Sequence, residues 1–220
     1  MKIQFICSDP AVKEYFDIKP ANKSVPRWYK DLPTRDQYDR SQIPTIKECM
    51  PAQDMIMSGY IIFNTYEFTL FPQPSKGIET FEPLSHNPSH IGQHLYEQCP
   101  VKIRENRKNY FKISNPWLIR TPPGYSCLIM QPFYEFESRF QLMPAIVDTD
   151  VHDLPIELPG YLLTSDPVNV ESGTPIAQII PFKRDEWVME TLTQPHKTSK
   201  LQFMFGSAYR KVFHNKKIFR

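Results

Sequence analysis

The chain has 220 residues, which suffices for one domain with appendages and for a core that needs no disulfide or structural metal. Its 22 prolines, 7 glycines and 13% aromatic residues exclude a disordered chain and argue against glycine-rich loops that cradle phosphates. The formal net charge is +2, yet the last thirty positions hold seven of the 26 basic residues and no acidic one, so the rest of the chain is acidic.

The first hundred residues predict an arm, a short helix and a hairpin that pack on a core. KIQFIC is typical of a strand, and SVPRWYKDLP predicts an extended arm that lays Trp28 and Tyr29 onto a partner surface. CMPAQDMIMSGY predicts a helix, because Pro51 suits its first turn and Gly59 the position just past its end. YIIFNTYEFTLF predicts strands at 60–63 and 66–71. The proline-rich stretch 72–90 then predicts a connection, and IGQHLYEQ a helical turn.

Residues 100–183 predict a mainly β domain. NYFKI, WLIR, YSCLIMQPF, FQLMPAIVD, PIELPGYLL, PVNV and PIAQIIPF are short apolar runs bounded by proline, glycine, aspartate or asparagine, which favours a sandwich or barrel. RDEWVMETL and LQFMFGSAYRKVFHNKKIFR predict helices. We therefore expect three parts: residues 1–99, a β domain at 100–183, and a helical, basic segment at 184–220.

The cysteines and the apolar runs indicate a cellular setting. Cys7, Cys49, Cys99 and Cys127 lie far apart, which argues against a zinc ribbon or a redox dithiol. The first residues contain only a short apolar run, so no signal peptide is expected, and no run approaches the ~18 residues of a membrane span. We expect free thiols in a reducing cytosol, with no membrane as a partner.

The stretch AIVDTDVHDLPIEL places two carboxylates around one threonine, between two apolar runs. Asp148 and Asp150 can be turn residues that accept backbone hydrogen bonds. Two alternatives stay open: Asp148 as a general base, or a metal site completed by His152 and Asp153.

A second candidate metal site has three histidines at a spacing of four residues. His86, His90 and His94 would share one face of a helix. Pro88 and Gly92 interrupt that helix, so a polar loop is the alternative, and no bound metal or other cofactor is expected.

Two aromatic and basic stretches are candidates for binding. Trp117, Arg120 and Tyr125 can form a stacking platform for a base or sugar, unless Trp117 packs under the proline turn. The C-terminal stretch YRKVFHNKKIFR interleaves aromatics with bases, as single-stranded nucleic-acid binders do, or it is a helix with a solvated basic face. Its basic candidates are Arg210, Lys211, Lys216 and Lys217.

Three motifs follow one another between residues 115 and 183. They are Pro122-Pro123-Gly124-Tyr125, Val147-Asp148-Thr149-Asp150, and a closing hairpin with Val170, Gly173 and Ile176-Ala177-Gln178. This order resembles that of the dUTPase and dCTP-deaminase superfamily. The resemblance implies a β-clip fold for the C-terminal half. It also implies a homo-oligomer, namely a trimer, in which either the Trp28-Tyr29 arm or the C-terminal segment would hold neighbouring subunits together.

The resemblance also implies a role for Asp148, which matches the aspartate that activates water in those enzymes. The stacking aromatic expected three residues later is Val151 here. The phosphate-contacting Pro-Arg-Ser element is replaced by Gln131-Pro132-Phe133-Tyr134, and the glycine-rich C-terminal arm is absent. The chain also resembles, over most of its length, an uncharacterised family of tailed-phage and bacterial proteins, through VPRWYKDLP, SGYIIF, NPWLIRTPPGYSCLIMQPF, VDTD and GTPIAQIIPFKRDEW.

Three functions follow as hypotheses. The missing phosphate-binding element favours a non-enzymatic, phage-type structural or accessory protein that uses the β-clip for assembly, with phage structural proteins as partners. The second is a diverged nucleotide-binding or nucleotide-hydrolysing protein with Asp148 as base, which would use Asp150 and Tyr125, with Arg120 or Arg139 for phosphates. The third is a nucleic-acid-associated protein that uses the basic C-terminal segment. We expect the chain in the host cytoplasm or in the virion.

Overall fold

The structure is a computed structural model that describes residues 1–35, 43–75, 78–101, 110–194 and 214–220. The described residues are mainly β, with several antiparallel sheets and few, short helices, which confirms the mainly β prediction. Contacts divide the chain into two compact units: residues 1–19 with 60–183, and residues 20–59 with 184–220.

The elements follow one another as short segments. The helices are α1 (Pro10–Tyr15), α2 (Arg27–Asp31) and α3 (Met50–Met57), with one-turn 3-10 helices at Ala21–Lys23, Ile46–Glu48, Tyr96–Gln98 and Phe133–Glu135. The strands are β1 (Gln4–Ile6), β2 (Lys19–Pro20), β3 (Tyr60–Phe63), β4 (Phe68–Ser75), β5 (Ile78–Ser85), β6 (Ile91–Gln93), β7 (Tyr110–Ile113), β8 (Leu118–Arg120), β9 (Tyr125–Met130), β10 (Phe140–Leu142), β11 (Ala145–Val147), β12 (Leu158–Leu162), β13 (Val168–Val170) and β14 (Pro175–Lys183).

The first unit is built from antiparallel sheets around one apolar core. The strand orders are β11-β9-β14-β3-β2, β10-β12-β7-β6, β13-β4-β5 and β1-β8. The run FQLMPAIVD is two strands in two sheets, because Pro144 separates β10 from β11. Trp117 is 1% exposed within the core and Cys127 is fully buried. The four cysteines form no disulfide with one another.

The stretch predicted as a proline-rich connection is instead a hairpin of two eight-residue strands, β4 and β5. Its register explains how a proline-rich sequence forms a ladder. Pro72, Pro74 and Pro83 lie opposite Phe81, Glu79 and Leu70. These three pairs alternate with the pairs that exchange backbone hydrogen bonds, so no proline stands where the ladder needs an N–H donor. Likewise, IGQHLYEQ gives strand β6 before its helical turn.

Gly160 on β12 lies where neighbouring strands leave no room for a side chain. A Cβ atom there would stand 2.8 Å from both the Gln141 carbonyl oxygen and Phe111 Cζ. We expect Gly160→Ala to lower the free energy of unfolding by about 2–3 kcal/mol, measured by urea denaturation. Gly92→Ala on β6 is the matched control, since no atom lies within 4 Å of its Cβ position. Equal effects of the two substitutions would contradict this packing.

The second unit contains the helix predicted from CMPAQDMIMSGY and corrects the predicted arm. Helix α3 begins with Met50 and Pro51, and Gly59 follows it with a φ of 73°. Residues 24–33 are not an extended arm, because Arg27–Asp31 form α2 directly after Pro26. Tyr29 is 3% exposed, and Lys47 Nζ lies 5.8 Å from the centre of its ring.

The C-terminal part of the second unit is not helical where the structure describes it. Residues 184–194 adopt no regular secondary structure, so the helix predicted from RDEWVMETL is wrong. Of the predicted last helix, residues 201–213 lie outside the described residues, and 214–220 contain no helix. Asp54 on α3 pairs with His214 Nε2 at 2.9 Å and with Lys217 Nζ. No helix in the described parts of the chain is long and apolar enough to cross a membrane.

Candidate functional site

The proline motif forms a tight turn that leads into β9. The Tyr125 N–H donates to the Pro122 carbonyl at 3.2 Å, which closes a β-turn. Gly124 occupies the third position with a φ of 82°, the conformation that a type II turn requires there. Pro123 precedes it at the second position, where its fixed φ is favourable.

The two aspartates hold this turn against the end of β11. Asp150 Oδ2 accepts a hydrogen bond from the Gly124 N–H at 2.8 Å. Asp148 Oδ1 accepts from the Ser126 hydroxyl at 2.6 Å, and Ser126 is fully buried on β9. Asp148 itself is exposed and Asp150 is half-buried. The pair therefore joins two neighbouring chain segments across one turn.

Thr149 points inward between the two carboxylates. It is 1% exposed, and its hydroxyl lies 2.8 Å from that of Thr121 and 3.3 Å from Cys127 Sγ. Its carbonyl also accepts the Thr121 N–H at 3.1 Å. Burial raises the pKa of the Cys127 thiol, although the Thr149 hydroxyl opposes this, so Cys127 stays a thiol near neutral pH.

This arrangement supports the interpretation of Asp148 and Asp150 as turn residues. Each carboxylate has a donor from the turn or from β9, so neither depends on a ligand for its hydrogen bonds. His152 and Asp153, the other members of the hypothetical metal site, are exposed. Within the described ranges, no group of three or more histidine, cysteine, aspartate or glutamate side chains is placed to hold a metal ion.

The other residues that the sequence predicted to bind a ligand are not gathered around the two aspartates. Arg120 is exposed on β8 and forms an ion pair with Asp153 at 2.7 Å, so it lies beside the turn. Tyr125 begins β9, half-buried, opposite Lys183 of β14. Trp117 is buried in the core rather than available for stacking.

Arg139 is engaged elsewhere in the first unit. Its guanidinium makes two hydrogen bonds to the Glu137 carboxylate, at 2.6 and 2.9 Å, and one to the Asn169 carbonyl at 2.8 Å. Burial alone would raise the pKa of Glu137, but the hydrogen bonds from Arg139 hold it below its usual value. The charge of Arg139 is thus matched by Glu137, which leaves little for a phosphate.

The three histidines do not share a helix face. His90 is buried between β5 and β6, and its Nε2 lies 2.7 Å from Asn64 Oδ1. Burial lowers the pKa of His90 to about 4. His86 is exposed and His94 half-buried. Of the basic candidates, Lys216 and Lys217 are exposed, with Lys217 paired to Asp54, while Arg210 and Lys211 lie outside the described residues.

A second candidate site was missed by the sequence reasoning. The loop after β9 reads Phe133-Tyr134-Glu135-Phe136-Glu137 and borders a groove of about 400 Å³. The groove is lined by Met130, Gln131, Pro132, Phe133, Phe136, Glu137, Gln141, Leu142, Pro144 and Leu163. The sequence signal for this site is the cluster of three aromatic residues and two glutamates at 133–137.

Comparisons with known proteins find likenesses among solved structures and none among family models or curated sequences. No protein-family model matches the chain, and neither does any curated protein sequence. The solved structure of EIAV dUTPase in its native form is similar, with 11% identity and a TM-score of 0.35, over 65% of this chain and 86% of the dUTPase. This similarity is too low to assign the β-clip or an activity, and the phage-family resemblance has no support among the matches.

Proposed function

We propose that the chain is a non-enzymatic structural or accessory protein that assembles into a homo-oligomer through its β-clip-like domain, at residues 100–183, and the segment 184–194 that follows it in sequence. One observation carries the proposal. In the segment 184–194, three consecutive large apolar side chains are almost fully exposed: Trp187 at 90%, Val188 at 95% and Met189 at 90%. Single exposed apolar residues are ordinary, but a contiguous run of this size marks an interaction surface.

The energetics of this run favour burial against another chain. Covering a side chain of this size contributes roughly 1.5–3 kcal/mol, and a tryptophan alone buries about 150–250 Å². Closed rings of identical subunits are the common way to cover such a surface on every copy. Val188 and Met189 follow the tryptophan directly along the chain, so the three side chains lie within one short segment.

The solution mass of the full chain tests the proposal. We expect a mass that is a whole multiple of the 25.9 kDa chain, with a trimer as the first expectation, by light scattering during gel filtration. Replacing Trp187, Val188 and Met189 together by serine is expected to return the mass to that of one chain. A matched triple variant at Glu186, Glu190 and Thr191 changes the same segment without its apolar groups and is expected to keep the assembly.

Two results would overturn the proposal, and a third would favour a different function. A wild-type protein that stays a single chain at high micromolar concentration would remove the assembly function. Turnover of a nucleoside triphosphate with Mg²⁺ that disappears in Asp148→Asn would revive the nucleotide hypothesis and make Asp148 its base. Salt-sensitive binding to single-stranded nucleic acid, lost on deletion of residues 197–220, would instead support the third hypothesis.

A further inference from the structure

Among the glycines that the structure describes, one is required neither by the packing nor by the backbone. Gly59, Gly124 and Gly173 have positive φ values, and a Cβ atom at Gly160 would stand 2.8 Å from two neighbouring atoms. Gly92, in the middle of strand β6, has neither constraint, because its φ is not positive and no atom lies within 4 Å of its Cβ position. A glycine inside a strand lowers stability, and it often marks a place where a ligand approaches the backbone closely.

The strand register places an open space beside a lysine on the outer face of a sheet. Gly92 lies opposite Lys112 of β7, which in turn lies opposite Pro159 of β12. Residues opposite each other in a ladder share a face, and Lys112 alternates with Phe111 and Ile113, which point into the core. Gly92 and Lys112 therefore lie on the outer face of the sheet β10-β12-β7-β6, where the glycine leaves room.

An ion pair borders this space. Lys112 Nζ lies 3.8 Å from Glu157 Oε2, and the two side chains are 41% and 47% exposed. The Ser114 hydroxyl lies 3.4 Å from each oxygen of the Glu157 carboxylate. At 3.8 Å the ammonium and the carboxylate attract each other without a direct hydrogen bond, so each keeps the capacity to bind a further group. The pair carries no net charge, yet it offers donors and acceptors side by side.

A tyrosine and a neutral histidine lie further along the same sheet. Tyr161 of β12 is half-buried, and its hydroxyl donates to Gln141 Oε1 at 2.8 Å, which holds the ring in place. His94, two residues after Gly92, is also half-buried. Burial and the nearby charge of Lys112 lower the pKa of His94, so its ring is neutral at pH 7. The histidine therefore adds no charge to that of the ion pair.

We propose that the outer face formed by Gly92, Lys112, Ser114, Glu157 and Tyr161 binds a neutral sugar through two neighbouring hydroxyl groups. One hydroxyl oxygen accepts a hydrogen bond from the Lys112 ammonium, and the next hydroxyl donates to the Glu157 carboxylate. The space at Gly92 admits the sugar ring, and the ring of Tyr161 contacts its apolar C–H face.

The ion pair selects a neutral ligand over a charged one. An anion held by Lys112 would lie close to the Glu157 carboxylate, and a cation held by Glu157 would lie close to the Lys112 ammonium. A full charge on the ligand thus loses on one side what it gains on the other, whereas a hydroxyl group accepts from the lysine or donates to the glutamate. The inference uses none of the residues 184–194, so it is independent of the assembly proposed above.

Saturation-transfer NMR with the full chain tests the inference. The probes are the methyl glycosides of glucose, galactose, mannose and N-acetylglucosamine, and the disaccharides cellobiose, maltose and lactose. The uronic acid and the 2-amino sugar of each series are the matched controls, because they keep the ring and add one charge. We expect at least one neutral sugar to bind at low millimolar concentration, about tenfold more tightly than both charged analogues. The proposal is wrong if no neutral sugar binds below about 20 mM, or if a charged analogue binds as tightly.

Gly92→Val separates loss of the site from loss of the fold. Valine is favourable in a strand and its Cβ would meet no atom within 4 Å, so we expect the melting temperature to stay within about 2 °C of the wild type. Its methyl groups would fill the space beside Lys112, and affinity for the best sugar is expected to fall about tenfold. Glu157→Gln is expected to shift the preference about tenfold towards the uronic acid, because Lys112 then acts on the ligand alone. Asp31→Asn, which breaks the exposed ion pair with Arg27 in the second unit, is expected to change neither value.

Two outcomes contradict the proposal even if a sugar binds. Full affinity in a folded Gly92→Val variant would place the sugar elsewhere on the chain. An unchanged preference between neutral sugar and uronic acid in Glu157→Gln would show that the ion pair does not contact the ligand.

Discussion

Asn64→Ala is expected to lower the free energy of unfolding by about 3–5 kcal/mol, because one buried amide joins three segments of the first unit. Asn64 is fully buried just after β3. Its Nδ2 donates to the carbonyls of Tyr66, Val170 and Glu171 at 2.9, 3.1 and 3.0 Å. Its Oδ1 pairs with His90 Nε2 at 2.7 Å. Alanine would remove these hydrogen bonds, leaving the three carbonyl oxygens without this donor and His90 Nε2 without its acceptor.

The same substitution at an exposed position is the control. Asn169 on β13 also makes side-chain hydrogen bonds, with Thr69 at 2.8 Å and Glu67 at 3.1 Å, but it is exposed. Water replaces these partners, so we expect Asn169→Ala to cost less than about 1 kcal/mol in urea unfolding. If both asparagine variants lost similar stability, burial would not be the reason for the effect at Asn64.

The elements that the sequence predicted well are those with local signals. Pro51 and Gly59 mark the two ends of α3: the helix begins at Met50, directly before Pro51, and ends at Met57, two residues before Gly59. The apolar run Tyr60–Phe63 forms β3 with the predicted bounds. A cap, a proline or a short apolar run acts through neighbours a few residues away, so these signals can be recognised without knowledge of the fold.

The failures came from features that depend on partners far along the chain. Pro72 and Pro74 indicated a connection, but whether a proline breaks a strand depends on which residues it faces, and that register comes from β5. RDEWVMETL has a helical composition, yet a segment of nine residues is too short to form a stable helix without packing. Trp187 is 90% exposed, so the described part of the chain gives this side chain little packing.

The candidate sites show the same contrast between local sequence signals and contacts made by residues far apart in the chain. The spacing of Asp148 and Asp150 around Thr149 already indicated a turn, and the contacts with Gly124 and Ser126 supply its donors. No motif pairs Asn64 with His90, because the fold alone brings together residues 26 positions apart. The left-handed backbone of Phe136, with a φ of 55°, was equally invisible, since phenylalanine carries no preference for it.

The stability of the chain is expected to fall as the pH drops from 7 towards 4.5, mainly through His90. Burial holds the pKa of His90 at about 4, whereas the unfolded value is 6.5. Below pH 6.5 the unfolded chain takes up a proton that the folded chain still excludes. The stabilisation is therefore complete above pH 6.5 and is lost progressively as the pH falls to about 4, with a loss of about 2–3 kcal/mol by pH 4.5.

Burial lowers the pKa of His90 even though a backbone hydrogen bond with Ser114 favours the charged ring. The hydrogen bonds of Asn64 fix which ring nitrogen of His90 carries the hydrogen in the neutral form. The Asn64 amide nitrogen donates to three carbonyls, so its oxygen must accept, and His90 Nε2 must carry the hydrogen. A second proton would go to Nδ1, in a buried space beside the rings of Tyr66 and Phe68, with centroids 5.4 and 5.9 Å away. In this buried space a charged ring would not be hydrated, whereas water stabilises the imidazolium in the unfolded chain.

His90→Gln provides the decisive comparison, because glutamine can donate to Asn64 but cannot titrate. Urea unfolding at constant ionic strength between pH 7.5 and pH 4.5 should show a slope for the wild type and a much flatter line for His90→Gln. Burial and the nearby charge of Lys112 also lower the pKa of His94, despite the opposing charge of Glu157, so the double variant with His94→Gln removes the remaining slope. Asp54 and Glu137 have lowered pKa values and lose their stabilisation only at more acidic pH. A wild-type slope that persists in the double variant would show that the acid sensitivity does not come from these two histidines.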